Sequence, residues 1–87
     1  MTQTHTLPTT PAEYQAVVRQ TWEHVLGHPE FGDEDPFLSV HGANSLTAVQ
    51  VMVALSGRLG TRLPVRLIMR HRTVQDLAAA IREQADA

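Results

Sequence analysis

The sequence predicts an all-α domain: a small four-helix bundle of three main helices and one short one, with a long loop between the first two. Three observations predict it. Apolar residues recur at helical spacing in separate segments. Each of the three main segments follows a capping residue. No stretch shows the strict alternation of a half-buried strand. The 87 residues make one domain, since domains run to roughly 100–150 residues. A domain this small buries a limited fraction of its surface and is marginally stable, which argues against a large enzyme with its own substrate cavity.

Residues 1–9 are Thr-rich, lack periodicity, and are expected to form a disordered N-terminal tail. Thr10 can cap a helix, Pro11 suits its first position, and Glu13 completes a capping box. Tyr14, Val17, Val18, Thr21, Trp22 and Val25 follow at helical spacing, and Gly27 and Pro29 end the helix. Residues 27–44 form the long connection, with Phe31, Phe37, Leu38 and Val40 expected to pack it and Asp33, Glu34 and Asp35 to keep part of it wet. Asn44 or Ser45, both good N-cap types, begins a second helix that Gly60 stops after Leu59. Val65–Arg70 can form the short helix. Thr73 caps the last, with Asp76 in its positive first turn and Leu77, Ala78, Ala80 and Ile81 as its buried stripe. The expected domain spans 10–84, with 85–87 as a C-terminal tail.

The second helix is mostly apolar and sorts into two stripes. Ala48, Val51, Met52, Leu55 and Leu59 make the longer one and the better core candidate; Leu46, Val49, Gln50 and Val53 make the other. A helix on one side of a bundle needs only one such stripe. The second stripe is then either an exposed docking surface or part of the core of a centrally placed helix, and periodicity alone leaves both open.

Composition narrows the function. The chain has no cysteine, so disulfides, Cys-based zinc sites and thiol nucleophiles are excluded. The net charge of −2 makes no global case for nucleic acid. Charge is segregated: residues 1–46 hold six acids against Arg19 alone, and residues 47–87 hold six Arg against three acids. That asymmetry either steers a partner or balances the bundle internally. No apolar run reaches membrane-spanning length, and the polar N-terminus lacks the pattern of a signal peptide. A cytoplasmic domain is expected, and the initiating Met and short tails point to a free-standing protein.

Competing site readings are weak. His24 and His28 have a spacing zinc can use, but Gly27 interrupts the helix and no third ligand is evident, so no metal is expected. His41 and Ser45 invite a nucleophile–base reading, but no nucleophile elbow or placed acid accompanies them. A DNA-recognition helix needs polar and basic residues toward the groove, and the second helix has only Arg58, near its far end.

Ser45 stands where a helix begins, after the small residues Gly42 and Ala43. Free backbone N–H groups and the macrodipole favour an anion there, so a hydroxyl is a sensible attachment point for phosphate. Read alone, Ser45 is better taken as a plain helix cap. The run Gly42-Ala43-Asn44-Ser45-Leu46 resembles the G-x-[DHN]-S-L motif of the acyl and peptidyl carrier proteins. Asp35, Phe37 and Leu38 resemble the upstream pattern of that family. Ala48-Val49-Gln50-Val51, Leu63-Pro64-Val65-Arg66-Leu67 and Thr73-Val74-Gln75-Asp76-Leu77-Ala78 resemble its downstream pattern. The five-residue motif is weakly specific, but its placement among these flanks, over about residues 10–84, is strongly so. The chain departs from the family at His41, where leucine is usual, at Met69, where phenylalanine is frequent, and at Arg72, where proline is frequent.

The resemblance implies that a phosphopantetheinyl transferase moves 4′-phosphopantetheine from coenzyme A onto Ser45, with cargo carried as a thioester on the distal thiol. Ser45 is then a modified residue and the protein is not an enzyme. Gly42, Ala43 and Asn44 support the motif, and Leu46, Val49, Gln50 and Val53 meet partners. Those partners are the transferase, an adenylation or other loading enzyme, and condensation, tailoring or thioesterase enzymes, with the carrier a monomer. A second helix without acidic residues, together with the C-terminal patterns, resembles the peptidyl (thiolation) type of nonribosomal peptide and related secondary-metabolite biosynthesis. An acyl carrier for polyketide or fatty acyl groups is the alternative. From another class, the rival is an unmodified helical interaction module using the same apolar stripe.

Overall fold

The computed structural model describes residues 7–86 and contains four α-helices, α1 (Pro11–Leu26), α2 (Ser45–Leu59), α3 (Arg66–Arg70) and α4 (Val74–Asp86), with a single 3₁₀ turn at Phe37–Ser39. No strand occurs among the described residues. The expected fold class and helix order are those observed. Of the expected tails at 1–9 and 85–87, residues 1–6 and 87 lie outside the described residues. α4 runs through Asp86, beyond residue 84.

α1 begins at the anticipated capping box. The Thr10 hydroxyl accepts from the Glu13 N–H (3.1 Å), and the Glu13 carboxylate accepts from the N–H groups of Thr9 (2.8 Å) and Thr10 (3.0 Å). These bonds, the Thr9 backbone foremost and then that of Thr10, lower the Glu13 pKa to about 2. A carboxylate with a depressed folded-state pKa contributes stability above its unfolded pKa and loses it as pH falls through the folded value. The melting temperature of the wild type is therefore expected to exceed that of Glu13→Gln at neutral pH. The difference should disappear between about pH 4.5 and 2. A difference that persists unchanged to pH 2 contradicts this account.

Gly27 and Gly60 end α1 and α2 in the left-handed region, at φ 82° and 68°, where glycine carries no Cβ penalty. The core gathers on Trp22, which is fully buried and lies 4.8 Å from Phe37 edge-to-face and 5.6 Å from Phe31. Val18, Val51, Met52, Leu55, Leu77 and Ile81 close around these aromatics.

The long loop is fastened by Arg19. Its Nη2 donates to the carbonyls of Pro29 (3.1 Å) and Phe31 (2.6 Å), its Nη1 meets Asp33 (2.8 Å), and its Nε meets Glu23 (3.1 Å). The guanidinium also lies 4.5 Å over the Phe31 ring, a cation–π contact. The same loop is pinned to the α3–α4 junction by Phe37 N–H to the Arg72 carbonyl (2.6 Å) and Gln75 N–H to the Asp33 carbonyl (3.1 Å). Of the four apolar residues expected to pack it, Phe31, Phe37 and Val40 are buried, but Leu38 is 50% exposed. The 3₁₀ turn explains the correction: successive side chains diverge by a third of a turn, so Phe37 facing inward sends Leu38 outward.

Candidate functional site

The site is built where the loop enters α2. A four-residue turn closes with the Ala43 N–H donating to the Val40 carbonyl (3.0 Å). Gly42 is its third residue and has φ 88°, a position that favours glycine because other residues carry a Cβ penalty there. Asn44 follows in extended conformation and caps the helix. Its Oδ1 accepts from the Thr47 N–H (2.9 Å), and the Thr47 hydroxyl accepts in return from the Asn44 N–H (2.8 Å). Of the two cap candidates, the structure uses Asn44.

That choice frees Ser45. It occupies the first helical position, is exposed, and its hydroxyl makes no hydrogen bond among the described residues. The backbone N–H groups of Ser45 and Leu46 precede the first intrahelical bond and find no partner among the described residues. The arrangement is an exposed nucleophilic oxygen beside two unused donors at the positive end of a helix dipole, which suits a phosphate ester.

The two stripes of α2 separate. Ala48, Val51, Met52 and Leu55 are buried and Leu59 is half-buried, while Leu46 and Val53 are 66% and 65% exposed. Val49 and Gln50 are exposed beside them. Arg58 is turned away from this face toward α1, donating to the Thr21 hydroxyl (3.1 Å) and to Gln20 Oε1 (3.2 Å). The exposed face therefore carries no charge.

His41 and Ser45 share no hydrogen bond, so the structure does not assemble a nucleophile–base pair. His28 has a role that its sequence position did not signal. Its Nδ1 accepts from the Glu30 N–H (3.0 Å), and its Nε2 lies 2.7 Å from the His41 carbonyl. A carbonyl only accepts, so Nε2 carries the proton, and both ring nitrogens are engaged. This residue ties the end of α1 to the turn before Ser45. Only its fixed distance from the turn, invisible to helical periodicity, could have revealed it.

A cavity of about 240 Å³, lined by Tyr14, Leu59, Leu63 and Ile81 among others, lies at the other end of α2. With a rise of about 1.5 Å per residue, it sits about 20 Å along the helix from Ser45. No helix among the described residues is long and apolar enough to cross a membrane.

Comparison with known proteins adds a family and a fold. The family described as "Phosphopantetheine attachment site" matches residues 16–81. Tyrocidine synthase 3 of Brevibacillus parabrevis is 35% identical over 72 residues, covering 83% of this chain and 1% of that protein. The nonribosomal peptide synthetase tcpP of Claviceps purpurea is 32% identical over 72 residues, covering 79% of this chain and 4% of its own length. The chain thus spans only a few per cent of the curated relatives it matches. Among solved structures, BlmI, a type-II acyl-carrier-protein from Streptomyces verticillus involved in bleomycin biosynthesis, superposes with a TM-score of 0.80. That match covers 86% of this chain and 89% of BlmI at 19% identity, a likeness of fold.

Proposed function

The chain belongs to the phosphopantetheine attachment-site family, and from that premise we propose that it is a peptidyl carrier whose prosthetic arm is joined to Ser45. The observation that carries the placement is the state of Ser45: exposed, unbonded, and relieved of capping by Asn44. The residues present fit the group. A phosphodiester is an anion, the first turn of α2 offers it the Ser45 and Leu46 N–H groups, and no Asp or Glu occurs between Asp35 and Asp76 to repel it. When attached, 4′-phosphopantetheine supplies the thiol that a cysteine-free chain lacks.

Carriers of this family are not themselves catalytic, and the chain's own contribution is presentation. Gly42 and Asn44 hold Ser45 at the surface. The uncharged face of Leu46, Val49, Gln50 and Val53 meets, in turn, a phosphopantetheinyl transferase, a loading enzyme, and condensation, tailoring or thioesterase enzymes. The proposed setting is the cytoplasm and the proposed state a monomer. The match to a nonribosomal peptide synthetase supports aminoacyl or peptidyl cargo.

Cargo is read directly by the intact mass of the protein isolated from its producing cells. Aminoacyl or peptidyl increments on the arm support the peptidyl reading; fatty acyl or polyketide increments replace it with an acyl carrier. The docking face is tested by Val53→Asp. Val53 is 65% exposed, so stability should change by no more than about 0.5 kcal/mol. The rate of arm transfer by the transferase should fall about tenfold, as for an interface anchor. Large destabilisation with normal transfer would make this stripe core instead.

A further inference from the structure

The entry to α2 depends on the orientation of one peptide. In the turn formed by Val40, His41, Gly42 and Ala43, Gly42 has a positive φ (88°), and no residue other than glycine has one among the described residues. A negative φ at the second position with a positive φ at the third is the type II turn. Rotating the His41–Gly42 peptide by half a turn converts type II into type I, and glycine at the third position tolerates both. The turn's own hydrogen bond, from the Ala43 N–H to the Val40 carbonyl (3.0 Å), is made in either type and does not choose between them.

His28 makes the choice. Its Nε2–H donates to the His41 carbonyl (2.7 Å), the oxygen of the very peptide that would flip. The imidazole is itself held. Its Nδ1 accepts from the Glu30 N–H (3.0 Å), and it lies against the rings of Phe31 (centroids 6.2 Å apart) and His41 (5.9 Å). A Cβ on Gly42 would stand 3.9 Å from the Leu26 carbonyl, so the turn rests on the end of α1, where His28 is rooted. No third His, Asp or Glu joins the two imidazoles into a metal site among the described residues.

We propose that His28 is a positioning residue for arm attachment: it holds the His41–Gly42 peptide in one orientation, so that the chain leading into Ser45 meets the transferase in a single arrangement. Without this donor the turn populates both orientations. A transferase that engages one of them finds only that fraction competent, and its apparent affinity falls by the same factor. The chemistry at Ser45 is unchanged. The proposal rests on the reading that Ser45 carries the arm, and it adds a residue on α1's side of the turn that governs how Ser45 is recognised.

The test is steady-state transfer of phosphopantetheine from coenzyme A, by a transferase of broad range, to the wild type, His28→Ala and His28→Gln, below the melting temperature of all three. One hydrogen bond shifts an equilibrium about fivefold. His28→Ala should therefore raise KM for the carrier about fivefold while kcat stays within about twofold. A merely structural role would lower the melting temperature and leave KM alone. In His28→Gln an amide donor and acceptor replace the two ring nitrogens, and KM should return to within about twofold of the wild type. An unchanged KM in the alanine variant, or an equal rise in both variants, overturns the proposal. So does a proton on Nδ1 instead of Nε2 in the nitrogen NMR spectrum of the wild-type imidazole at pH 8, a reading that needs no variant. Failure of the carrier reading is distinct: the wild type then gains no mass, whereas failure of this proposal leaves a wild type that takes the arm at Ser45.

Discussion

Ser45→Ala is expected to abolish attachment of phosphopantetheine completely while leaving the helical signal and the melting temperature almost unchanged. Both halves follow from the local geometry. The hydroxyl is the only atom the arm can bond at this position, so no partial activity remains. The side chain is exposed and makes no hydrogen bond among the described residues, and alanine is the better helix former, so the stability change should stay within about 0.5 kcal/mol. Asn44→Ala separates the two neighbours. It removes the side-chain acceptor of the Thr47 N–H and is expected to cost about 1 kcal/mol while still accepting the arm. Thermal melting and intact mass of the two variants check the pair. The reverse pattern, with Ser45→Ala destabilised and Asn44→Ala neutral, would assign the cap to Ser45.

Trp22→Ala should have the largest effect on stability. Trp22 is fully buried against Phe31 and Phe37 and joins α1 to the long loop. Truncating a buried aromatic of this size costs about 3–5 kcal/mol, against a total of about 5–15 kcal/mol for a typical domain. A chain of this length sits at the low end, so a broad or absent thermal transition is expected. Trp22→Phe is the informative companion. The Trp22 Nε1 is buried without a hydrogen-bond partner among the described residues, so phenylalanine removes an unsatisfied donor as well as some volume. Denaturant unfolding should show the phenylalanine variant much closer to wild type than the alanine variant. Equal losses would mean that the indole N–H has a partner worth keeping.

Much of this molecule was legible in the sequence where the determinants are local. The capping box of Thr10 and Glu13 and the helix stops at Gly27 and Gly60 are decided within a few residues of each other, and each stands where the pattern placed it; the cap of α2 was narrowed to Asn44 or Ser45, and the structure uses Asn44. Gly42, read in the sequence as a small motif residue before α2, holds a turn there through one backbone angle that favours glycine. What the sequence left open depends on packing between distant segments. Which stripe of α2 faces water is settled by where α1 crosses it, and periodicity is the same either way. Arg19 looked like a lone countercharge in an acidic half, but it is the fastening of the long loop. Leu38 carries the composition of a core residue, and only the 3₁₀ turn reveals that it points outward. His28 belongs to the same class: the carbonyl it meets lies far along the chain.

The central claim is that one residue, Ser45, carries the arm. Its most direct test is fragment mass mapping of the wild-type protein after incubation with coenzyme A and a phosphopantetheinyl transferase of broad range. A gain of one phosphopantetheine, found on the peptide containing Ser45 and on no other, is the expected result. An arm on another hydroxyl, such as Ser39 or Ser56, or no gain on a protein shown to be folded, would contradict it.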